Sequence, residues 1–100
     1  MSKGHGHYKG NYPSPTWISW NHMKDRCTNK NHVKFNLYGG RGIKVCPKWI
    51  KFENFLEDMG IRPNGTSLDR INPEKGYQKD NCRWSSIYIQ RHNRRSYVKQ

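Results

Sequence analysis

Apolar side chains recur at helical spacing between residues 14 and 29. The members of this stripe, separated by three, three and four residues, are Trp17, Trp20, Met23 and Cys27. This spacing places them on one face of a helix. Ser14 followed by Pro15 is typical of a helix start, because serine caps the first turn and proline fits the first helical position. The pattern predicts a helix that ends near Asn29 and turns this face to the core.

A second apolar stripe follows Pro47, and Gly60 stands where a C-terminal cap belongs. The members of this stripe are Trp49, Phe52, Phe55, Leu56 and Met59. We therefore predict a second helix, opened by Pro47 and ended by Gly60. The core is expected to depend on aromatic side chains, namely Trp17, Trp20, Trp49, Phe52, Phe55 and Trp84.

The last third of the chain predicts two short strands and a helix. Residues 67–71 indicate the first strand, residues 72–80 a loop with proline and glycine, and residues 81–84 the second strand. Ser85 is the expected N-cap of a final helix that continues to about Arg95. The sequence thus predicts an α+β fold, in which helices pack on a small two-stranded sheet.

The remaining segments are polar. Residues 1–13 are rich in Gly, Lys and His without periodicity, which favours a flexible basic arm before a single domain at 14–100. The run Gly39-Gly40-Arg41-Gly42 lacks the Gly-Lys-Ser/Thr of a phosphate loop, so we expect a tight turn that presents Arg41.

The net charge narrows the kinds of molecule that the protein is expected to bind. The 100 residues carry 19 Lys and Arg against 7 Asp and Glu, a net charge of +12. No apolar run approaches a membrane span of about 20 residues, and the start lacks the apolar stretch of a signal peptide. The basic residues are spread between aromatics and turns instead of forming one amphipathic helix, which favours nucleic acid over a membrane surface. We expect a cytoplasmic protein, encoded by a phage or its bacterial host.

Three cysteines, Cys27, Cys46 and Cys82, are odd in number and far apart in the sequence. A disulfide framework favours an even number, and a structural zinc site favours CxxC pairs. The spacing indicates reduced, partly buried thiols. A zinc site built from all three with a histidine is the alternative that we consider less favoured.

Several motifs follow one another in the second half of the chain: Leu68-Asp69-Arg70-Ile71-Asn72, Gly76-Tyr77, Asn81-Cys82-Arg83-Trp84, then Gln90 and Asn93, with Tyr38-Gly39-Gly40-Arg41-Gly42-Ile43 upstream. In this order they resemble the HNH endonucleases, the ββα-metal or His-Me finger superfamily. The resemblance covers roughly residues 17–95. It implies a ββα-metal motif, two short antiparallel strands plus a helix, packed with two further helices. It also implies metal-dependent hydrolysis of DNA phosphodiester bonds.

By this resemblance Asp69 and Gln90 are the metal ligands and Asn81 is the central residue that orients the general base. A carboxylate ligand favours Mg²⁺, with Mn²⁺ as the alternative, over Zn²⁺. Arg94, one turn after Gln90, would face the same phosphate. In such a site the cation stabilises the departing oxygen and the base removes a proton from water.

Arg70 departs from the family, because it stands where the general-base histidine is expected. Arginine stays protonated and suits the clamping of a phosphate instead. Proton removal must then fall to another group. The alternatives are the front-half residues His22, His32 and Tyr38, which we favour, a metal-bound hydroxide, or His92.

The backbone of double-stranded DNA is expected to contact a set of arginines, helped by the amino-terminal arm. These are Arg41, Arg83, Arg91, Arg94 and Arg95. A monomer would nick one strand, and cleavage of both strands would need a homodimer. Two other functions are alternatives. One is a non-catalytic DNA-binding module on a degenerate HNH scaffold, favoured by Arg70 and Gln90. The other is a basic RNA- or ribosome-associated protein, which leaves the spacing of Asp69, Asn81 and Gln90 unexplained and ranks last.

Overall fold

The computed structural model describes residues 8–9 and 12–86, and it has an α+β fold as the sequence predicts. The helices and strands are β1 (Tyr8–Lys9), β2 (Tyr12–Pro13), α1 (Pro15–Thr28), α2 (Phe52–Met59), β3 (Thr66–Arg70) and β4 (Cys82–Ser86). Short 3₁₀ turns connect them, at Phe35–Leu37, Gly39–Arg41, Pro47–Ile50 and Lys79–Asn81. The predicted helix with Gln90 lies outside the described residues, so the ββα-metal motif stays a prediction.

Helix α1 begins and ends where the sequence predicts. The Ser14 hydroxyl accepts a hydrogen bond from the Trp17 amide (3.1 Å), and Pro15 occupies the first turn. Trp20 and Met23 are buried along the predicted face. The local start signal and the apolar spacing together are therefore sufficient to define this helix.

The prediction of one continuous helix from Pro47 is wrong. Pro47 opens a 3₁₀ turn that ends at Ile50, and α2 begins only after Lys51, whose backbone is extended (φ −97°, ψ 130°). The Asn54 side-chain amide donates to the Lys48 carbonyl (2.8 Å), which satisfies a backbone group exposed by this break. Gly60 ends the helix as predicted, with a positive φ of 70° that favours glycine.

Strands β3 and β4 form an antiparallel hairpin in which Asp69 lies opposite Arg83 and Ser67 opposite Ser85. The expected N-cap role of Ser85 is wrong, because Ser85 belongs to β4 and is buried. A serine fits an N-cap or a strand, and here pairing with β3 decides. The loop between the strands also contacts the front half of the chain, where Val45 and Tyr77 form an isolated parallel bridge.

The core is aromatic and lies between α1, α2 and the hairpin. Its buried hydrophobic members are Trp20, Met23, Ile43, Trp49, Phe52, Phe55, Tyr77 and Cys82. Ring edges meet ring faces, as for Trp49 on Phe55 (4.9 Å between centroids). Trp17 and Trp84 pack against this cluster and are only partly buried. The aromatic core predicted from the sequence is confirmed in the main, and Tyr77 is an addition to it.

The three cysteines are free thiols, with Cys82 buried and the other two half-buried. Burial raises the pKa of the Cys82 thiol to about 11 and also raises the pKa of Cys27 and Cys46. All three therefore stay protonated at neutral pH. In the part of the chain described, no helix combines the length and apolarity needed to cross a membrane.

Candidate active-site pocket

A small polar pocket of about 210 Å³ lies where the C-terminal half of α1 meets β3 and the loop after it. Its lining residues come from four separate stretches of sequence. They are Arg26, Tyr38, Leu68, Asp69, Arg70, Pro73 and Tyr77. Three residues proposed from the sequence, Tyr38, Asp69 and Arg70, are thus brought together.

Two stacked tyrosines form one side of the pocket. The rings of Tyr38 and Tyr77 are 6.4 Å apart between centroids and 22° from parallel. Each tyrosine is next to a glycine that lies close to another segment: a Cβ on Gly39 would collide with the Cys27 carbonyl, and one on Gly76 with the Lys44 carbonyl. The first approach holds Tyr38 against the end of α1, and the second holds Tyr77 against the segment at Lys44.

Arg70 lies over this pair of rings and is held by the loop that follows β3. Its guanidinium carbon is 5.2 Å from the Tyr38 ring centroid and 5.3 Å from that of Tyr77. Its Nη1 donates to the backbone carbonyls of Pro73 and Lys75. Two carbonyls and two aromatic faces fix the guanidinium without neutralising its charge.

Arg26 of α1 approaches the same rings. Its guanidinium carbon is 4.9 Å from the Tyr38 centroid and 5.8 Å from that of Tyr77, and its Nη2 donates to the Tyr77 hydroxyl (3.0 Å). Burial raises the pKa of Tyr77, so at neutral pH the hydroxyl is a neutral acceptor for Arg26. The buried Nε of Arg26 makes no hydrogen bond to any residue that the structure describes.

Asp69 is the acidic residue of the pocket, and Arg83 across the hairpin already pairs with it. Arg83 Nε lies 3.1 Å from Asp69 Oδ2, with the side chains 37% and 26% exposed. The second oxygen, Oδ1, makes no hydrogen bond within the described residues. The ion pair is half-exposed, so it contributes little to stability and leaves Asp69 accessible to a ligand.

Asn81 is 5% exposed and holds the loop between the strands. Its Oδ1 accepts from the Asn72 amide (2.9 Å), and its Nδ2 donates to the carbonyls of Asn72 (3.2 Å) and Gly76 (2.8 Å). This loop carries the carbonyls that bind Arg70. The amide of Asn81 therefore acts on the pocket through the loop and the placement of Arg70.

The predicted metal site can be tested on its donor chemistry. Asp69 offers a carboxylate oxygen, the donor type that Mg²⁺ and Mn²⁺ prefer, and the amide oxygen of Gln90 would be of the same type. Among the described residues, no group of three or more His, Cys, Asp or Glu side chains is placed to hold a metal ion. The carboxylate of Asp69 and the amide of Gln90 are therefore donor types that fit a hard cation.

The other described residues that were proposed from the sequence do not line the pocket. His22 is exposed on α1, and the His32 ring lies 3.9 Å from Asp25 and accepts from the Lys34 amide. Arg41 is an exposed residue 3.3 Å from Glu74. Four further residues that were expected to contact metal or DNA lie outside the described residues: Gln90, Arg91, Arg94 and Arg95. His92 lies there as well.

Two pocket residues were not predicted from the sequence. Arg26 lies three residues after Met23, at the border of the apolar stripe, so its helical position was a signal that it reaches toward the interior. Tyr77 lies in a polar loop without periodicity, and its burial depends on the bridge to Val45. No local pattern announces such a contact between distant segments.

Comparison with known proteins places the chain in no family: no protein-family model matches it, and neither a curated protein nor a solved structure does.

Proposed function

We propose that the protein is a metal-dependent DNA endonuclease that hydrolyses phosphodiester bonds at the pocket beside β3. The observation that carries this proposal is the meeting of Asp69, Arg70 and Tyr38 in one small polar cavity. Tyr38 is distant in sequence from Asp69 and Arg70. Together the three side chains offer a carboxylate that can bind a cation, a guanidinium that can bind phosphate, and a hydroxyl. A net charge of +12 supplies the attraction to a polyanion.

In this proposal each residue has a separate task. Arg70 binds a non-bridging phosphate oxygen, with its orientation set by the carbonyls of Pro73 and Lys75. Asp69 and Gln90 would hold a divalent cation, Mg²⁺ or Mn²⁺, which would supply charge stabilisation to the phosphoryl group and the departing oxygen. Asn81 keeps the loop in the shape that Arg70 requires.

Proton removal from the attacking water is assigned to the Tyr38 side of the pocket. Tyr38 is the one of the three front-half candidates that lines the cavity, whereas His22 and His32 lie elsewhere on the described surface. His92 stays an alternative, since it would lie near Gln90. The DNA backbone on either side would be held by Arg41, Arg83, Arg91, Arg94 and Arg95.

A second function, a DNA-binding module without catalysis, is favoured by one specific observation. The Asp69 carboxylate is already paired with Arg83, and no histidine lines the described pocket. A scaffold of this kind would keep the arginines that bind phosphate and lose the water-activating group. It would bind DNA with strong salt dependence and leave it intact.

Supercoiled plasmid distinguishes the two functions. We would incubate it with the purified chain in EDTA, Mg²⁺, Mn²⁺ or Zn²⁺, and with Asp69→Asn under the same conditions. The endonuclease predicts conversion to open circles in Mg²⁺ or Mn²⁺, and Asp69→Asn reduces conversion to the EDTA background. Asp80→Asn is the matched control, because it removes the same charge at an exposed position outside the pocket.

Each outcome of the plasmid assay has a different meaning. A linear product that forms without an open-circle intermediate would indicate a dimer that cuts both strands. A plasmid that stays supercoiled with every metal, but is retarded on a gel, would exclude the endonuclease and favour the binding module. Equal cleavage by Asp69→Asn and the unmodified chain would remove Asp69 from the site.

A further inference from the structure

The pocket holds two guanidinium groups without a carboxylate partner. The ion pairs of the described residues join Arg83 to Asp69, Arg41 to Glu74, Lys48 to Asp58 and His32 to Asp25, and neither Arg26 nor Arg70 takes part. Residues 1–7, 10–11 and 87–100 contain no Asp or Glu. None of these residues can therefore neutralise the pair with an acidic side chain.

Arg26 and Arg70 line the same small cavity and approach the same ring. Their guanidinium carbons lie 4.9 and 5.2 Å from the centre of the Tyr38 ring. Two like charges that line one small cavity repel, and the repulsion grows where water is excluded. An arrangement of this kind is stabilised by an anion that bridges the two groups.

Hydrogen-bonding capacity remains on both arginines. Arg26 has a buried Nε–H that no described residue accepts, and Arg70 uses only Nη1 for its two carbonyls. Buried donors are normally satisfied, so the unpaired Nε–H shows that the hydrogen bonding of Arg26 is incomplete within the described residues. Tetrahedral phosphate offers several acceptors at once and matches the fork geometry of arginine.

We propose that Arg26 and Arg70 together form a receptor for one phosphate group of the nucleic-acid substrate, one guanidinium from α1 and the other from β3. Tyr77 is the positioning residue for Arg26, since its hydroxyl accepts from Nη2. The identification of the ligand with substrate DNA rests on the proposed function, whereas the affinity for phosphate itself follows from the pocket. Arg26 thereby becomes a binding residue that joins helix and hairpin around the ligand.

The receptor is tested first on the unmodified chain. Inorganic phosphate is titrated into ¹⁵N-labelled full-length protein at constant ionic strength, and the arginine Nε–H resonances are followed by NMR. We expect saturable shifts of the Arg26 and Arg70 resonances with one common Kd. Shifts that do not saturate, or that follow total salt at all arginines alike, would overturn the receptor.

Variants then separate the pocket from the general positive field. Arg26→Gln is expected to weaken phosphate binding about 10- to 100-fold, the loss that corresponds to charge-assisted hydrogen bonds. Lys51→Gln removes the same charge at an exposed position outside the pocket and is expected to change the Kd less than about 2-fold. Equal losses in the two variants would contradict the proposal. Arg26→Lys keeps the charge, so a loss of affinity there shows that the fork is required.

Tyr77→Phe tests the positioning role with a readout that fold stability does not move. We expect weaker phosphate binding together with a displaced Arg26 Nε–H resonance, while the Arg70 resonance stays in place. Unchanged affinity in this variant would remove Tyr77 from the account of the receptor.

A short DNA duplex added to the phosphate-saturated protein identifies the natural source of the ligand. Displacement of phosphate from Arg26 and Arg70 would assign the receptor to the nucleic acid, and DNA that binds without displacing phosphate would overturn that assignment. The plasmid assay is independent: phosphate binding and DNA displacement without nicking would exclude the endonuclease and support the receptor. Nicking without phosphate binding would exclude the receptor and support the endonuclease.

Discussion

The two ends of α1 use an arginine in opposite ways. Near the N-terminal end, Arg62 joins α1 to the start of β3. Its Nε donates to the Thr66 carbonyl, its Nη1 to the Ser19 hydroxyl, and its backbone amide to the Thr16 hydroxyl. At the other end, Arg26 makes one hydrogen bond, to Tyr77, and keeps a buried donor without a described acceptor. The hydrogen bonds of Arg62 are made within the protein, whereas Arg26 keeps a donor without an acceptor among the described residues.

Within one small domain, this difference distinguishes a region that stabilises the fold from a pocket with unused hydrogen-bond donors. The region that stabilises the fold includes the aromatic core, where the buried indoles of Trp20 and Trp49 donate to the Trp49 carbonyl and to Asp58, each at 2.8 Å. The pocket, in contrast, keeps positive charge and unused donors. A polar group left unsatisfied near a cavity indicates a ligand-binding role more strongly than the charge of the whole surface does.

The largest effect is expected from the core. Phe55 is fully buried between Trp49 and Trp84, and Phe55→Ala would leave a cavity there. We expect the free energy of unfolding to fall by about 3–5 kcal/mol, which is a large share of the stability of a domain this small. Urea denaturation followed by tryptophan fluorescence measures it, and a loss below about 1 kcal/mol would contradict the assigned core.

Asn81→Ala tests how far the pocket depends on structural hydrogen bonds. The variant leaves the Asn72 amide and the Gly76 carbonyl without their partner, so we expect a loss of about 1–3 kcal/mol in the free energy of unfolding. Phosphate affinity should fall as well, because the loop that orients Arg70 loosens. Asn81→Asp keeps the acceptor for the Asn72 amide but sets a buried carboxylate against the carbonyls of Asn72 and Gly76, so it should be no more stable than Asn81→Ala. A fully stable Asn81→Ala would show that the loop is held by other contacts.

A smaller effect is expected on the pH dependence of stability, through Asp58 beside the aromatic core. The Trp49 indole, and then Lys48, hold the pKa of Asp58 below its ordinary value of 3.8, and this side chain is 6% exposed. The unfolded chain therefore binds a proton more readily than the folded one does. The stabilisation is present above the unfolded-state pKa and is lost as the pH falls through the lower folded-state pKa.

Urea unfolding at several pH values from about 6 down to about 2.5 checks this dependence. Asp58→Asn should flatten the fall in stability below about pH 4, and the exposed Glu57→Gln should leave it in place. If the acid dependence of Asp58→Asn and of the unmodified chain were the same, the Trp49–Asp58 hydrogen bond would have no part in it.

Local signals in the sequence were sufficient for some elements and not for others. The capped start of α1 and its apolar spacing act within one segment, and they were sufficient to predict that helix. Ser85 was assigned to a helix cap because its local chemistry permits one, whereas pairing with Ser67 is a contact between distant residues. The break at Lys51 depends on backbone geometry that the apolar stripe does not encode.

The candidate site shows the same division. Asp69, Arg70 and Tyr38 were proposed from a family resemblance, and the fold brings them to one pocket. Arg26 and Tyr77 could not be found in that way, because one belongs to a helix that the resemblance treats as scaffold and the other to a loop. Their juxtaposition needs the close approach of Gly76 to Lys44, a property of the folded chain alone.

The contrast between Arg26 and Arg62 leads to the most direct measurement. Urea unfolding is recorded for the unmodified chain, Arg26→Gln and Arg62→Gln, each with phosphate or with chloride at equal ionic strength. Arg62→Gln should lose about 1–3 kcal/mol in both salts and keep the stabilisation by phosphate, while Arg26→Gln should be nearly as stable as the unmodified chain in chloride and lose that stabilisation. Equal stabilisation by phosphate in all three proteins would reflect a general effect of the salt and would contradict a ligand-binding pocket at Arg26.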